Sequence, residues 1–212
     1  MSSSSPTNWW PLPRSCENSR VRKLILVRHS LPDIVPEIPA NLWRLSREGR
    51  RRCKILAAKL AGHKPCLIVT SLESKALETG QLVASMLELP QAAAAGIHEH
   101  ERRSVAFCAD EAKFQASVVR MLEQPGQPVF GDETGDQAHQ RFSQAIDSVI
   151  ERYPQGNLAV VTHGTVLSLF VSRAVRIEPI PLWKRLGLPS FVALQLPDSG
   201  LLEIVESVSE AH

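Results

Sequence analysis

Two histidines in this chain each follow a short apolar run, and an arginine stands directly before the first. Leu24-Ile25-Leu26-Val27 leads into Arg28-His29-Ser30, and Leu158-Ala159-Val160-Val161-Thr162 leads into His163-Gly164. Arginine presents a planar fork of donors that fits phosphate oxygens and stays charged at every relevant pH. A histidine beside it feels that charge, which favours the neutral ring. Neutral imidazole keeps a lone pair with which to attack phosphorus. A second histidine can donate to the phosphoryl oxygens and stabilise the charge spread over them in the transition state. Together the three residues point to phosphoryl transfer through a phosphohistidine, with no metal required. Singly, each histidine reads as a structural or solvent-facing residue. Their matched placement after two apolar runs is what raises them.

Such runs, stopping at polar residues and followed by helical patterns, read as parallel strands of an α/β sheet. Ligands of such sheets sit in the crevice beyond the carboxyl ends of the strands. Ser46 is an N-cap for a helix reaching about Ala61, with Gly62 just past its end. Cys66 to Thr70 reads as a strand, Ser74 to Leu87 as a helix, and Ala92 to Ile97 as a weaker third strand. Residues 101–135 read as an inserted cap, helical near Ala112 to Leu122. Ala138, Phe142, Ala145, Ile146 and Val149 mark one face of a further helix that Pro154 ends. Thr165 to Val175 continues as a helix, and Phe191 to Leu196 with Leu201 to Val205 reads as a hairpin. The loop from Leu31 to Asn41 is too interrupted by proline for regular structure. The expected fold is a three-layer α/β/α sandwich with a mostly parallel central sheet and an antiparallel edge. Residues 1–22 read as a flexible tail and 23–212 as one catalytic domain carrying the cap.

The 212 residues are 43% hydrophobic and 22% charged, with a net charge of +2, which is ordinary for a soluble domain and suggests neither nucleic acid nor membrane as partner. No apolar run approaches the roughly 20 residues that span a bilayer. Met1 to Ser19 is rich in Ser, Pro and Asn and lacks the apolar stretch of a signal peptide, leaving Trp9-Trp10 to dock on the body or on a neighbour. Arg47, Arg50, Arg51 and Lys54 recur at helical spacing and read as a solvated face. Cys16, Cys53, Cys66 and Cys108 show no C-x-x-C spacing, so inert thiols and a reducing cytoplasm are expected.

These residues resemble the histidine phosphatase superfamily, also called phosphoglycerate mutase-like. Leu26-Val27-Arg28-His29-Ser30 stands where that family has an apolar strand ending in Arg-His-Gly. Leu45-Ser46-Arg47-Glu48-Gly49 resembles its Leu-Thr-x-x-Gly element. Ser71-Leu72-Glu73-Ser74-Lys75-Ala76-Leu77-Glu78-Thr79 resembles Ser-x-Leu-x-Arg-Ala-x-x-Thr, and Thr162-His163-Gly164 resembles the late Ser-His-Gly. The likeness runs from about Lys23 to Leu196. It implies that His29 is the phosphorylated nucleophile, His163 the second catalytic histidine, and Arg28 and Lys75 phosphate ligands. It also implies a proton-donating glutamate after the third strand, for which Glu99 fits best and Glu101 second, with a raised pKa. Arg102 or Arg103 then meets the distal part of an anionic substrate. Three departures stand out. Ser30 replaces glycine, so the backbone there must accept a Cβ, and its hydroxyl adds a phosphate contact. Lys75 replaces arginine, turning a bidentate clamp into a point charge. Leu31-Pro32-Asp33 replaces the polar continuation after the glycine.

Within the family, the absence of a Glu-Arg-x-Tyr-Gly segment at His100-Glu101-Arg102-Arg103-Ser104 favours a phosphatase over a mutase. The expected activity is therefore a phosphoric monoester hydrolase of the histidine acid phosphatase type, without cofactor or metal. Its substrate is a small phosphorylated molecule or a phosphoprotein, with Phe107, Phe114 and Trp43 as candidate walls. Three rival readings remain: a non-catalytic module that only binds phosphorylated ligands, a phosphoglycerate-type mutase, and a zinc or manganese site at His98-x-His100 with Glu99 and Glu101. There is no G-x-S-x-G, G-x-x-x-x-G-K-[ST] or G-x-G-x-x-G motif to suggest another enzyme class.

Overall fold

The computed structural model describes residues 21–208. The tail expected over 1–22, with Trp9 and Trp10, therefore lies almost wholly outside the described residues.

The first strand, β1 (Arg22–Arg28), carries a continuous buried run from Leu24 to Val27, the signature of a strand covered on both faces. The same is true of β2 (Pro65–Thr70) and β4 (Asn157–Thr162), buried at every position. With β3 (Gln91–Ala93), β5 (Ser190–Leu196) and β6 (Gly200–Val205) they form one sheet in the order β3-β2-β4-β1-β5-β6. The first four strands of that order pair in parallel, and β5 and β6 close the sheet as an antiparallel hairpin.

Alternation along each strand divides the core in two. Ile25, Val27, Ile68, Ala159 and Val161 pack against α1 (Arg47–Ala61) and α2 (Ser74–Leu87). Leu24, Leu26, Val69, Leu158 and Val160 face the opposite layer. That layer comprises α3 (Glu111–Glu123), α4 (Gly135–Arg152), α5 (Gly164–Val175) and α6 (Pro179–Arg185). The three-layer α/β/α architecture is thus as the sequence suggests.

Helix starts follow local chemistry. Ser46 caps α1 by accepting the Gly49 N–H, and Thr134 with Gln137 forms a capping box on α4. Three expectations need correction. The third strand ends at Ala93, and Ile97 is buried in irregular chain instead of extending the sheet. α6 escapes the sequence reading because Pro179 and Pro181 look like loop, yet both fall in the first helical turn, where a missing N–H does little harm. Cys66 is disulfide-bonded, not an inert thiol. Cys53 and Cys108 are free, so the cysteines as a set no longer argue for a reducing compartment. No helix among the described residues is long and apolar enough to cross a membrane.

The loop after β1 contains one isolated β-bridge, Pro32 to Leu45, and one 3-10 turn, Ala40–Leu42. It delivers α1 against the end of β1 so closely that a Cβ on Gly49 would lie 2.0 Å from the Leu31 carbonyl oxygen. Gly49→Ala should therefore lower unfolding free energy by about 2–3 kcal/mol, the range for forced overpacking. Gly62→Ala, at a right-handed φ of −63° with its nearest atom 3.4 Å away, should stay within about 0.5 kcal/mol of the parent. Urea denaturation of the two variants checks the pair, and equal effects would contradict the close approach.

Candidate active site

Strand register assembles the site. Arg28 of β1 lies opposite Thr162 of β4, so His29 and His163 leave the sheet side by side. The His29 N–H donates to the Thr162 carbonyl at 3.0 Å. The two rings then meet edge to face, with centroids 5.1 Å apart. Both are buried.

His29 Nδ1 lies 2.7 Å from the Ser30 carbonyl oxygen. A carbonyl can only accept, so Nδ1 carries the proton and Nε2 keeps its lone pair. The pKa of His29 is held well below 6.5, chiefly by burial, then by His163 and Lys75, with Arg28 a smaller cause. The neutral ring expected from the sequence is present, but desolvation does more than the neighbouring arginine. His163 is likewise pushed well down by burial and then by Lys75. Its Nε2 is 2.9 Å from Ser71 Oγ, while its buried Nδ1 has no partner.

Arg28 is fixed by a hydrogen bond from Nη1 to the Leu186 carbonyl, and its buried Nε is unpartnered. The guanidinium passes so near Gly164 that a Cβ there would sit 2.8 Å from Nε, which accounts for glycine after the second histidine. Ser30 accepts its Cβ without a positive φ. Its N–H donates to Thr79 Oγ1 at 3.0 Å, and its hydroxyl donates to the Gly49 carbonyl at 2.7 Å. That proton ties β1 to α1 and is not left free for a phosphate, contrary to expectation.

Lys75 reaches the pocket from the first turn of α2, but its ammonium is already engaged. Nζ donates to Glu73 and, at 2.8 Å, to the Ala40 carbonyl. The other Glu73 oxygen accepts the Glu99 N–H at 3.0 Å and lies 3.7 Å from His163 Nε2. Burial pushes the Glu73 pKa up, but Lys75, the Glu99 N–H and His29 together outweigh it, and the net direction is down. Glu73 was missed by sequence reasoning. Its one signal was a charged residue inside the Ser71–Thr79 element where the family has leucine.

Glu99 does enter the site, as a cap. Its carboxylate accepts N–H bonds from His100 (2.9 Å), Thr165 (3.2 Å) and Val166 (3.3 Å), and so sits on the N-terminus of α5. Burial raises its pKa, but Arg102, His163 and the His100 N–H outweigh that, and the net direction is down. The carboxylate form is thus favoured, and the raised pKa expected of a proton donor is not found. Glu101 faces elsewhere, 3.0 Å from His98 Nε2 and 3.7 Å from Arg103. Arg102 stacks over Phe114 at 5.1 Å and Phe130 at 6.0 Å, close enough to the pocket to act on Arg28, Glu99 and His163. Its Nη1 is buried with no partner.

The two histidines of His98-x-His100 diverge. His98 pairs with Glu101, whereas His100 is buried on Phe130 with Nε2 on the Glu133 carbonyl. The segment is not a strand, so the shared face expected for a metal site does not arise. No group of three or more His, Cys, Asp or Glu able to hold an ion occurs among the described residues. Arg141 of α4 holds this segment instead. It donates to the carbonyls of Gly96 (2.7 Å), His98 (3.1 Å) and Glu99 (3.1 Å) and pairs with Glu133. Its placement three residues after Ala138, on the helix face read as apolar, was the available signal.

A histidine whose folded pKa lies below its unfolded value stabilises the fold fully above about pH 6.5 and loses that contribution as pH falls through the folded value. His63 and His139 shift in the same sense as His29 and His163. Urea midpoints should therefore fall between pH 7 and 5. Glu73 and Glu99, also depressed, add their loss only below about pH 4.5. His163→Gln should flatten the upper window, and a parent midpoint constant from pH 7 to 5 would contradict the assignment.

Residues 24–201 match the family model described as histidine phosphatase superfamily (branch 1). Among curated protein sequences none matches this chain. Solved structures similar to it include Bacillus stearothermophilus YhfR, with TM-score 0.71, 19% identity, 89% of this chain and 98% of that one covered. A mycobacterial glucosyl-3-phosphoglycerate phosphatase aligns with TM-score 0.66 and 18% identity, covering 87% of this chain and 97% of its own. The alpha-ribazole phosphatase from Shigella flexneri aligns with TM-score 0.65 and 20% identity, covering 90% and 98%. With its paired histidines at adjacent strand ends and the family model spanning most of its length, the chain belongs to the histidine phosphatase superfamily, branch 1.

Proposed function

We propose that this protein is a metal-independent phosphomonoesterase working through a phosphohistidine on His29. The observation that carries this reading is the His29 tautomer. Its Nδ1–H is fixed on the Ser30 carbonyl, leaving a nucleophilic Nε2 lone pair beside a second buried histidine. Nε2 attacks phosphorus, the P–O bond to the alcohol breaks, and the leaving oxygen takes a proton from Glu99. Water then attacks the phosphohistidine, returns a proton to Glu99 and releases inorganic phosphate. Arg28 and Arg102, each with an unpartnered buried nitrogen, together with His163 and Lys75, hold the phosphoryl oxygens. The surroundings of Glu99 favour its carboxylate, and a phosphate dianion beside it raises its pKa toward that of a usable acid.

p-Nitrophenyl phosphate hydrolysis should survive EDTA and vanish in His29→Ala. Persistence of turnover in that variant would remove the phosphohistidine route. The Glu73–Lys75 pair favours a second reading, a module that binds phosphorylated ligands without turning them over. For that, phosphate binds but acid quenching traps no acid-labile phosphoenzyme. The same pair makes Glu73 an internal competitor of phosphate for Lys75. Glu73→Gln should tighten inhibition by inorganic phosphate about tenfold, the scale of one charge-assisted contact. Weaker inhibition in that variant would show that Glu73 supports the ligand instead of competing with it.

A further inference from the structure

Ten large apolar side chains are exposed among the described residues, and six of them come from only three segments: Ile34, Ile38, Leu42, Leu72, Val105 and Phe107. These segments converge on the mouth of the pocket. Leu72, 63% exposed, stands between Ser71, which bonds His163, and Glu73, which bonds Lys75. Leu42, 51% exposed, belongs to the 3-10 turn whose Ala40 carbonyl takes the other Lys75 bond. Trp43 follows it, its indole N–H fixed on the Val35 carbonyl at 2.8 Å. The Trp43 ring meets Phe107 edge to face at 5.8 Å, closing this loop onto the chain that follows Arg102. Ser104, the one hydroxyl residue of that chain between Arg102 and Phe107, is tied to Asp132.

An apolar rim around a charged pocket keeps unfavourable surface in water unless something regularly covers it. The phosphoryl group goes to the bottom of the pocket, so the part of the ester that lies against the rim is its alcohol. A polyhydroxylated alcohol would surrender water there to Leu42, Leu72 and Phe107, whose side chains have no hydrogen bond to offer. An alkyl or aryl alcohol gains instead about 0.8 kcal/mol per buried methylene. We infer that the substrate is a monoester of phosphate with an apolar alcohol, a branched alkyl or aryl group held by Leu42, Leu72, Trp43 and Phe107. This inference rests on the phosphatase reading and narrows it. The products are the free alcohol and inorganic phosphate.

Ethyl, butyl and hexyl phosphate share nearly the same leaving-group chemistry and differ in apolar length, so they isolate the rim from the chemical step. kcat/KM should rise about two- to fourfold per methylene along the series, with glycerol 3-phosphate below ethyl phosphate. Leu72→Ser and Phe107→Ser should each flatten that slope. Two surface positions are used so that one poorly folded variant leaves the other to report. Turnover with a flat series, or a preference for glycerol 3-phosphate, overturns this inference and leaves the phosphatase reading standing. Turnover confined to phosphatidic acid in vesicles also overturns it, in favour of a membrane surface. Turnover of p-nitrophenyl phosphate with none of the alkyl esters likewise overturns the inference alone. Hydrolysis of none of these esters, p-nitrophenyl phosphate included, overturns the phosphatase reading itself.

Discussion

The parallel pairing of β1 with β4 places Arg28 opposite Thr162 and so brings the next residue of each strand, His29 and His163, out of the sheet at the same level. Everything in the pocket depends on that register. In a parallel pair, a slip of one residue would turn every side chain to the other face and part the two rings. The register is secured by burial on both sides: Leu24 and Leu26 point into one helical layer while Ile25 and Val27 point into the other. A few apolar residues far from solvent thus set the distance between the two buried imidazole rings.

Burial then decides the state of those rings. Removing imidazole from water disfavours its charged form, and this is the largest influence on both histidines. Their neutrality is consequently a property of the fold more than of any one neighbour. The hydrogen bond of Nδ1 to the Ser30 carbonyl adds direction by choosing which nitrogen keeps the lone pair. Around them the backbone supplies fixed partners: Leu186 holds Arg28, and Gly164 leaves room for it.

Much of this was legible in the sequence because it depends on local rules. The boundaries of α1 follow from capping and periodicity and those of α2 from periodicity, and the adjacency of Arg28, His29 and His163 follows from two apolar runs ending in polar residues. What escaped reading depends on contacts distant in sequence. Glu73 is an unremarked position until α2 places it against Lys75, Glu99 and His163. Arg141 lies more than 40 residues from the carbonyls it holds. His98 and His100 looked paired only because a strand was assumed, and β3 ends before reaching them. Ser30 was given a free hydroxyl because its acceptor, the Gly49 carbonyl, is brought near only by the return of α1.

The pocket's charge balance reconciles Glu99 as found with the role proposed for it. Three cations, Arg28, Lys75 and Arg102, meet two carboxylates, Glu73 and Glu99, around two neutral rings, which leaves an excess of one positive charge. In that setting each carboxylate is favoured as the anion, and Glu99 satisfies the α5 N-terminus where a ligand anion would also bind. A phosphate dianion entering the same space reverses the sign of the excess. In the proposed mechanism the response is to take up one proton on a carboxylate, and Glu99, seated on the α5 N-terminus that also attracts the anion, is the one assigned to it. In the proposed cycle the acid for the leaving oxygen is produced by ligand binding, so the lowered pKa of Glu99 and its proton donation to a bound ester are two sides of a single electrostatic constraint.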